Sequence, residues 1–103
     1  MDYLQELWEV ILNRVKNPRE GSYTSKIAMK GKGYAARKVG EEAVEVIVAA
    51  LEEGKDSLVY EAADLIYHLM VLLAISGVSW EEVVKELESR ARHRGGGSAG
   101  SGG

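Results

Sequence analysis

Glu42 and Glu45, and again Glu61 and Asp64, stand three residues apart inside two stretches that are otherwise apolar, residues 39–51 and 58–75. On a helix, positions i and i+3 lie roughly 60° apart, so each pair projects from one face at neighbouring heights. Buried negative charge is costly unless it is paired. Lys38 can reach Glu42, but Glu45 finds only Glu41, Glu42, Val48 and Ala49 three or four residues away, and Glu61 finds Ser57, Leu58, Asp64 and Leu65. Asp64 has His68 one turn on, a weak counter-charge at neutral pH. Four carboxylates without thiols form a hard, oxygen-rich donor set that suits Mg²⁺, with Mn²⁺ as the alternative, better than zinc or copper. The competing explanation is a solvated acidic face. Glu41 follows the same turn but points about 100° from Glu42, which leaves it open as a base, an extra ligand or a solvated charge.

A basic segment precedes the first acidic stretch: Lys26, Lys30, Lys32, Arg37 and Lys38. Cations beside a metal site suit a polyphosphate ligand, because both neutralise its charge. Ser22 and Thr24, in a turn-rich segment, are placed either to donate to a phosphate or to act as local caps. His68 is expected to orient Asp64 or to be a satisfied core histidine. Tyr23, Tyr34, Tyr60 and Tyr67 are expected to pack rather than to stack on a base, and Trp8 and Trp80 to lie in the core or an interface.

The elements that must position these groups are all helical. Leu4, Leu7, Trp8, Ile11 and Val15 predict a first helix capped by Asp2 and ended by Asn17-Pro18. A short helical piece spans about residues 24–30. The first acidic helix is expected from about Tyr34 to a left-handed Gly54, and the second from a cap at Asp56 or Ser57 to Ser76-Gly77. Ser79 and Glu82 have capping-box spacing ahead of a last helix from Trp80 to about His93. The expected fold is all-α, a bundle of about four main helices. The two central ones are too apolar to be covered by short amphipathic neighbours, so a second subunit is expected, as a homodimer or a higher homo-oligomer.

The chain of 103 residues carries a net charge of −3 and no cysteine. This excludes disulfides and thiolate metal sites and makes a cytoplasmic location the default. Net acidity offers no general attraction for nucleic acid. No signal sequence is recognisable, and the longest apolar run, residues 69–75, is short of a bilayer span, so no membrane partner is expected. Residues 1–94 are expected to form one domain and the glycine-rich residues 95–103 a flexible tail.

The strings G-E-E-A-V-E at 40–45 and E-A-A-D at 61–64 resemble the signature of the all-α nucleoside triphosphate pyrophosphohydrolases, the MazG-like superfamily. With G-S-Y-T-S-K at 21–26, K-V-G-E-E-A-V-E-V at 38–46 and V-Y-E-A-A-D-L-I-Y-H at 59–68, the chain is similar to the phosphoribosyl-ATP pyrophosphohydrolases over roughly residues 4–87. That resemblance implies Mg²⁺-dependent cleavage of phosphoribosyl-ATP to phosphoribosyl-AMP and pyrophosphate, the second step of histidine biosynthesis. It implies Glu42, Glu45, Glu61 and Asp64 as metal ligands, Glu41 as a further acidic member of the motif with no fixed role, and Lys26 and Lys38 as phosphate contacts, with a bundle assembled from two or more subunits. On mechanistic grounds Glu41 or Glu45 is the expected catalytic base. The segment K-G-K-G-Y-A-A-R at 30–37 has more glycine and charge than the family pattern, which leaves Lys32 and Arg37 without an implied role. The absence of a fused cyclohydrolase domain resembles the family's stand-alone form. Rival expectations are a house-cleaning enzyme acting on free nucleoside triphosphates, and a non-catalytic helical association module holding a structural cation.

Overall fold

A computed structural model describes residues 2–94 and shows five helices and no strand among them: α1 (Tyr3–Lys16), α2 (Tyr23–Lys30), α3 (Lys32–Glu52), α4 (Lys55–Ser76) and α5 (Trp80–Arg94). The tail expected at 95–103 lies outside the described residues. The short piece predicted ahead of the first acidic helix is a full helix, so the count is five rather than about four.

Each helix end has a local cause. The Asp2 carboxylate accepts from the Gln5 N–H at 2.9 Å and caps α1. Ser22 does the same for α2, accepting from the Ser25 N–H at 3.1 Å. The Ser25 hydroxyl then donates to the Arg14 carbonyl at 2.8 Å and accepts from the Arg19 N–H at 3.0 Å, which fastens the intervening turn to the end of α1. Gly31, at φ 104°, is the single residue between α2 and α3, and a side chain there would be strained. The Gly31 N–H closes α2 on the carbonyls of Ile27 and Ala28.

Two expected caps are not formed. Gly54 is extended (φ −138°), not left-handed, and is itself the residue before α4, which starts at Lys55. Asp56 therefore sits in the first turn, where its charge complements the helix dipole instead of capping it. The left-handed stop occurs at the other end of α4, at Gly77 (φ 77°), with the Val78 N–H donating to the Leu73 carbonyl at 3.0 Å. The capping box before α5 is formed as expected: the Ser79 N–H donates to Glu82 at 2.9 Å, and the Glu82 N–H to the Ser79 hydroxyl at 3.1 Å.

The most extensive helix contact is between α3 and α4, joined through Glu53 and Gly54. The core lies at one end of this hairpin, where α1 and α2 cover it with Trp8, Ile11 and Ile27 packed on Ala35, Met70, Val71 and Ala74. Trp80 brings the start of α5 onto the edge of this cluster. At the other end, Val44, Ile47 and Leu51 of α3 and Val59, Tyr60 and Ile66 of α4 stay exposed. By length and composition alone α4 could cross a membrane, but its His68, Met70, Val71 and Ala74 are buried within the helical bundle.

Ile11 is 1% exposed at the centre of the core. Ile11→Ala should lower stability by about 2–5 kcal/mol, read as a reduced denaturation midpoint in urea at unchanged slope.

Candidate functional site

Glu42, Asp64 and His68 each bring a ligand-capable atom within 4.8 Å of one another. Glu42 projects from the middle of α3 and is 9% exposed; Asp64 and His68 lie one turn apart on α4. The helix period thus places Asp64 above His68, and α3–α4 packing brings Glu42 to them. Glu45 and Glu61 are not part of this trio. They occupy the next step along the same helix pair, close enough that Glu45 raises the proton affinity of Glu61 after burial has done so, with Asp64 adding to it.

Electrostatics across the hairpin are unfavourable for a cluster without a cation. Burial pushes the Glu42 carboxyl above its ordinary range, and a hydrogen bond to Asp64 and repulsion from that carboxylate push it further. Lys38 is the nearest compensation. Its ammonium is 3.4 Å from Glu41 and 3.7 Å from Glu42. Desolvation alone would lower the Lys38 pKa, but the bond to Glu41 and the surrounding negative groups hold it above the usual lysine value, so it stays charged. Glu41 is exposed and also meets Arg37 at 3.7 Å. Among the described residues, no lysine or arginine pairs with Glu45, Glu61 or Asp64.

His68 is buried and both its ring nitrogens are engaged. Nδ1 lies 2.8 Å from the Asp64 backbone carbonyl, which can only accept, so Nδ1 carries the hydrogen. In the neutral ring, Nε2 is then an acceptor, and the Tyr23 hydroxyl at 3.2 Å donates to it. Nδ1 is also 3.5 Å from the Asp64 carboxylate, so the imidazole braces both the backbone and the side chain of that residue. The Tyr23 ring stacks on Tyr67 with centroids 6.2 Å apart, and the Tyr67 hydroxyl bonds the Thr24 hydroxyl. Burial raises the pKa of both tyrosines, so both remain protonated donors at neutral pH.

The other sequence-derived candidates separate. Thr24 is buried with its hydroxyl held by Tyr67, which directs it inward. Ser22 caps α2 and, with Lys26, lines a cavity beside the α1–α2 turn. The packing expectation holds for Tyr34 and Tyr67, which lie against the core, whereas Tyr23 and Tyr60 are exposed. The sequence marks Tyr23 only as a packing residue, not as a partner of His68, and gives Arg19 no role. The turn N-P-R-E-G-S-Y was a signal of their local conformation, not of what they face.

The donor set fits a hard divalent cation: two close carboxylates, two more one step away, and an imidazole already committed to other bonds. Residues 4–91 match the family described as phosphoribosyl-ATP pyrophosphohydrolase. The chain is 59% identical over 95 residues to a phosphoribosyl-ATP pyrophosphatase of Ignicoccus hospitalis, covering 92% of this chain and 93% of that protein. Proteins of the same name from Metallosphaera sedula (58% identity, 88% and 98% covered) and Sulfurisphaera tokodaii (56%, 86% and 95%) are similar over nearly the same extent.

Because the folded Glu42 carboxyl binds its proton more tightly than in the unfolded chain, the fold loses stability as pH rises from the ordinary carboxylate range through the raised value. Glu42→Gln removes that loss. In chelator-treated protein the variant should melt higher than the parent at pH 7.5. The difference should vanish below about pH 4, where the unfolded carboxyl is also protonated.

Proposed function

The chain belongs to the phosphoribosyl-ATP pyrophosphohydrolase family, and on that premise we propose that it hydrolyses phosphoribosyl-ATP to phosphoribosyl-AMP and pyrophosphate at the α3–α4 carboxylate cluster, with Mg²⁺. It is a hydrolase acting on a small-molecule nucleotide. The observation that carries the assignment of the site is the convergence of Glu42, Asp64 and His68 within 4.8 Å, where Lys38 is the one lysine or arginine paired with any of the three among the described residues.

Glu42 and Asp64 are the inner metal ligands in this reading, and Glu45 and Glu61 complete the set from the adjacent step. Mg²⁺, or Mn²⁺ with the same preference for oxygen, supplies charge neutralisation on the phosphoryl oxygens and orients the phosphate chain when bound. Lys38 stands at the edge of the cluster, charged and half-buried, where a phosphate oxygen can replace part of its contact with Glu41. The water oxygen bonds to the α-phosphorus, the bond from that phosphorus to the bridging oxygen breaks, and pyrophosphate leaves. The water proton passes to a carboxylate. Glu45 suits that role better than Glu41, because Arg37 and Lys38 occupy the Glu41 carboxylate while Glu45 pairs with no lysine or arginine among the described residues. Tyr23 and His68 keep Asp64 aimed at the cluster.

The active form is a homodimer in this reading. Val44, Ile47 and Leu51 share one face of α3, and Val59, Tyr60 and Ile66 are exposed on α4. This exposed apolar surface flanks Glu45 and is the part of the hairpin that α1 and α2 leave uncovered. Residues 1–94 are taken as one catalytic domain.

Pyrophosphate release from phosphoribosyl-ATP should exceed release from any free nucleoside triphosphate and should stop on chelation; preference for a free triphosphate would favour the house-cleaning alternative. Glu45→Gln and Asp64→Asn should lower kcat by about 10²–10⁴-fold with unchanged helical content and subunit assembly. Ile47→Asp should shift the protein from dimer to monomer in sedimentation velocity, because it puts a charge into the apolar face.

A further inference from the structure

A cavity of about 860 Å³ opens between the α1–α2 turn and α2, lined by Arg19, Ser22, Tyr23, Lys26, Met29 and Lys30 among others. Its volume lies in the range that encloses a small organic ligand. Three cations face one carboxylate there, that of Glu20. Among the described residues, none of Arg19, Lys26 and Lys30 is engaged in an ion pair. The Ser22 oxygen accepts from the Ser25 N–H, which leaves the hydroxyl hydrogen available to a ligand. Tyr23 and Met29 contribute apolar surface that is 48% and 78% exposed.

The cavity and the carboxylate cluster share one side chain. The Tyr23 ring lines the cavity, and its hydroxyl reaches His68 beside Asp64. A ligand can therefore pass over Tyr23 with one end among carboxylates and the other among cations. The substrate of the reading above has two anionic ends of that kind. Its triphosphate can approach the acidic helices only through a metal, while the phosphomonoester on its phosphoribosyl arm needs direct cationic contacts, since nearby carboxylates would repel it.

We propose that this cavity binds the phosphoribosyl arm of the substrate, with Arg19 and Lys26 on its phosphate, Lys30 adding charge, and Tyr23 and Met29 covering the sugar. The inference rests on the substrate reading given above. The cavity thereby distinguishes phosphoribosyl-ATP from ATP, which carries no such arm.

The test is calorimetric binding of phosphoribosyl-AMP and of AMP to the parent, Arg19→Ala, Lys26→Ala and the double variant, with Lys85→Ala as a distant exposed control. All these positions are exposed, so folding is not at risk. The parent should bind phosphoribosyl-AMP more tightly than AMP. Each cavity variant should lose about tenfold of the phosphoribosyl-AMP affinity with AMP affinity unchanged, and the double variant should bind the two nucleotides nearly alike. Variants that keep the parent's discrimination, or a parent that turns over phosphoribosyl-ATP yet binds both nucleotides equally, would overturn the cavity assignment. Turnover of phosphoribosyl-ATP by the parent, measured in the same series, separates these results from failure of the substrate reading itself: a parent without that turnover sinks both.

Discussion

Repulsion between Glu42 and Asp64, held face to face across two packed helices, is the constraint from which the rest of the site follows. Neither carboxylate can retreat. Glu42 is fixed by the middle of α3, and Asp64 is braced by His68, whose ring is fixed by the Asp64 carbonyl and the Tyr23 hydroxyl. The raised proton affinity of Glu42 expresses the cost of that arrangement without a cation. A divalent ion turns the same geometry from unfavourable to favourable, which is why a cluster that weakens the isolated fold suits metal binding.

The supporting shell comes from α2. Its first turn carries Tyr23 to His68 and Thr24 to Tyr67, so a short helix that also gives Ile27 to the core links the α1–α2 turn to the acidic face of α4. Ser25 locks that turn to α1 through Arg14 and Arg19. Rigidity at the carboxylates thus depends on hydroxyl groups whose partners lie in other elements. Gly31 is required at the far end, because the chain must reverse from α2 into α3 within one residue of positive φ.

Charge is divided between the two sides of Tyr23. Acidic groups collect on α3 and α4, and cations in no ion pair among the described residues collect on α2 and the turn before it, with Lys30 over the Tyr34 ring. A net charge of −3 conceals this division. It is the separation, not the sum, that matches a ligand bearing one metal-dependent phosphate chain and one phosphate that meets protein cations directly.

Much of this was legible in the residues themselves. The carboxylate pairs, their want of cations, the all-α character, the Asp2 cap and the Ser79–Glu82 box depend on side-chain type and on spacings of three or four residues, which a helix converts directly into position. The site strings also carried the family. The caps at Gly54 and Asp56 were misplaced because a glycine marks conformational freedom without saying whether left-handed or extended backbone will use it. What the tertiary structure alone decided is which groups meet: Glu42 with Asp64 and His68 rather than all four carboxylates at one point, Tyr23 on His68, and Arg19 in one cavity with Lys26 and Lys30. Helical periodicity fixes angles within one helix. The rotation and depth at which α2, α3 and α4 pack are set by burying Ile11, Ile27, Ala35, Met70 and Val71 together, and that collective choice is written in no single segment.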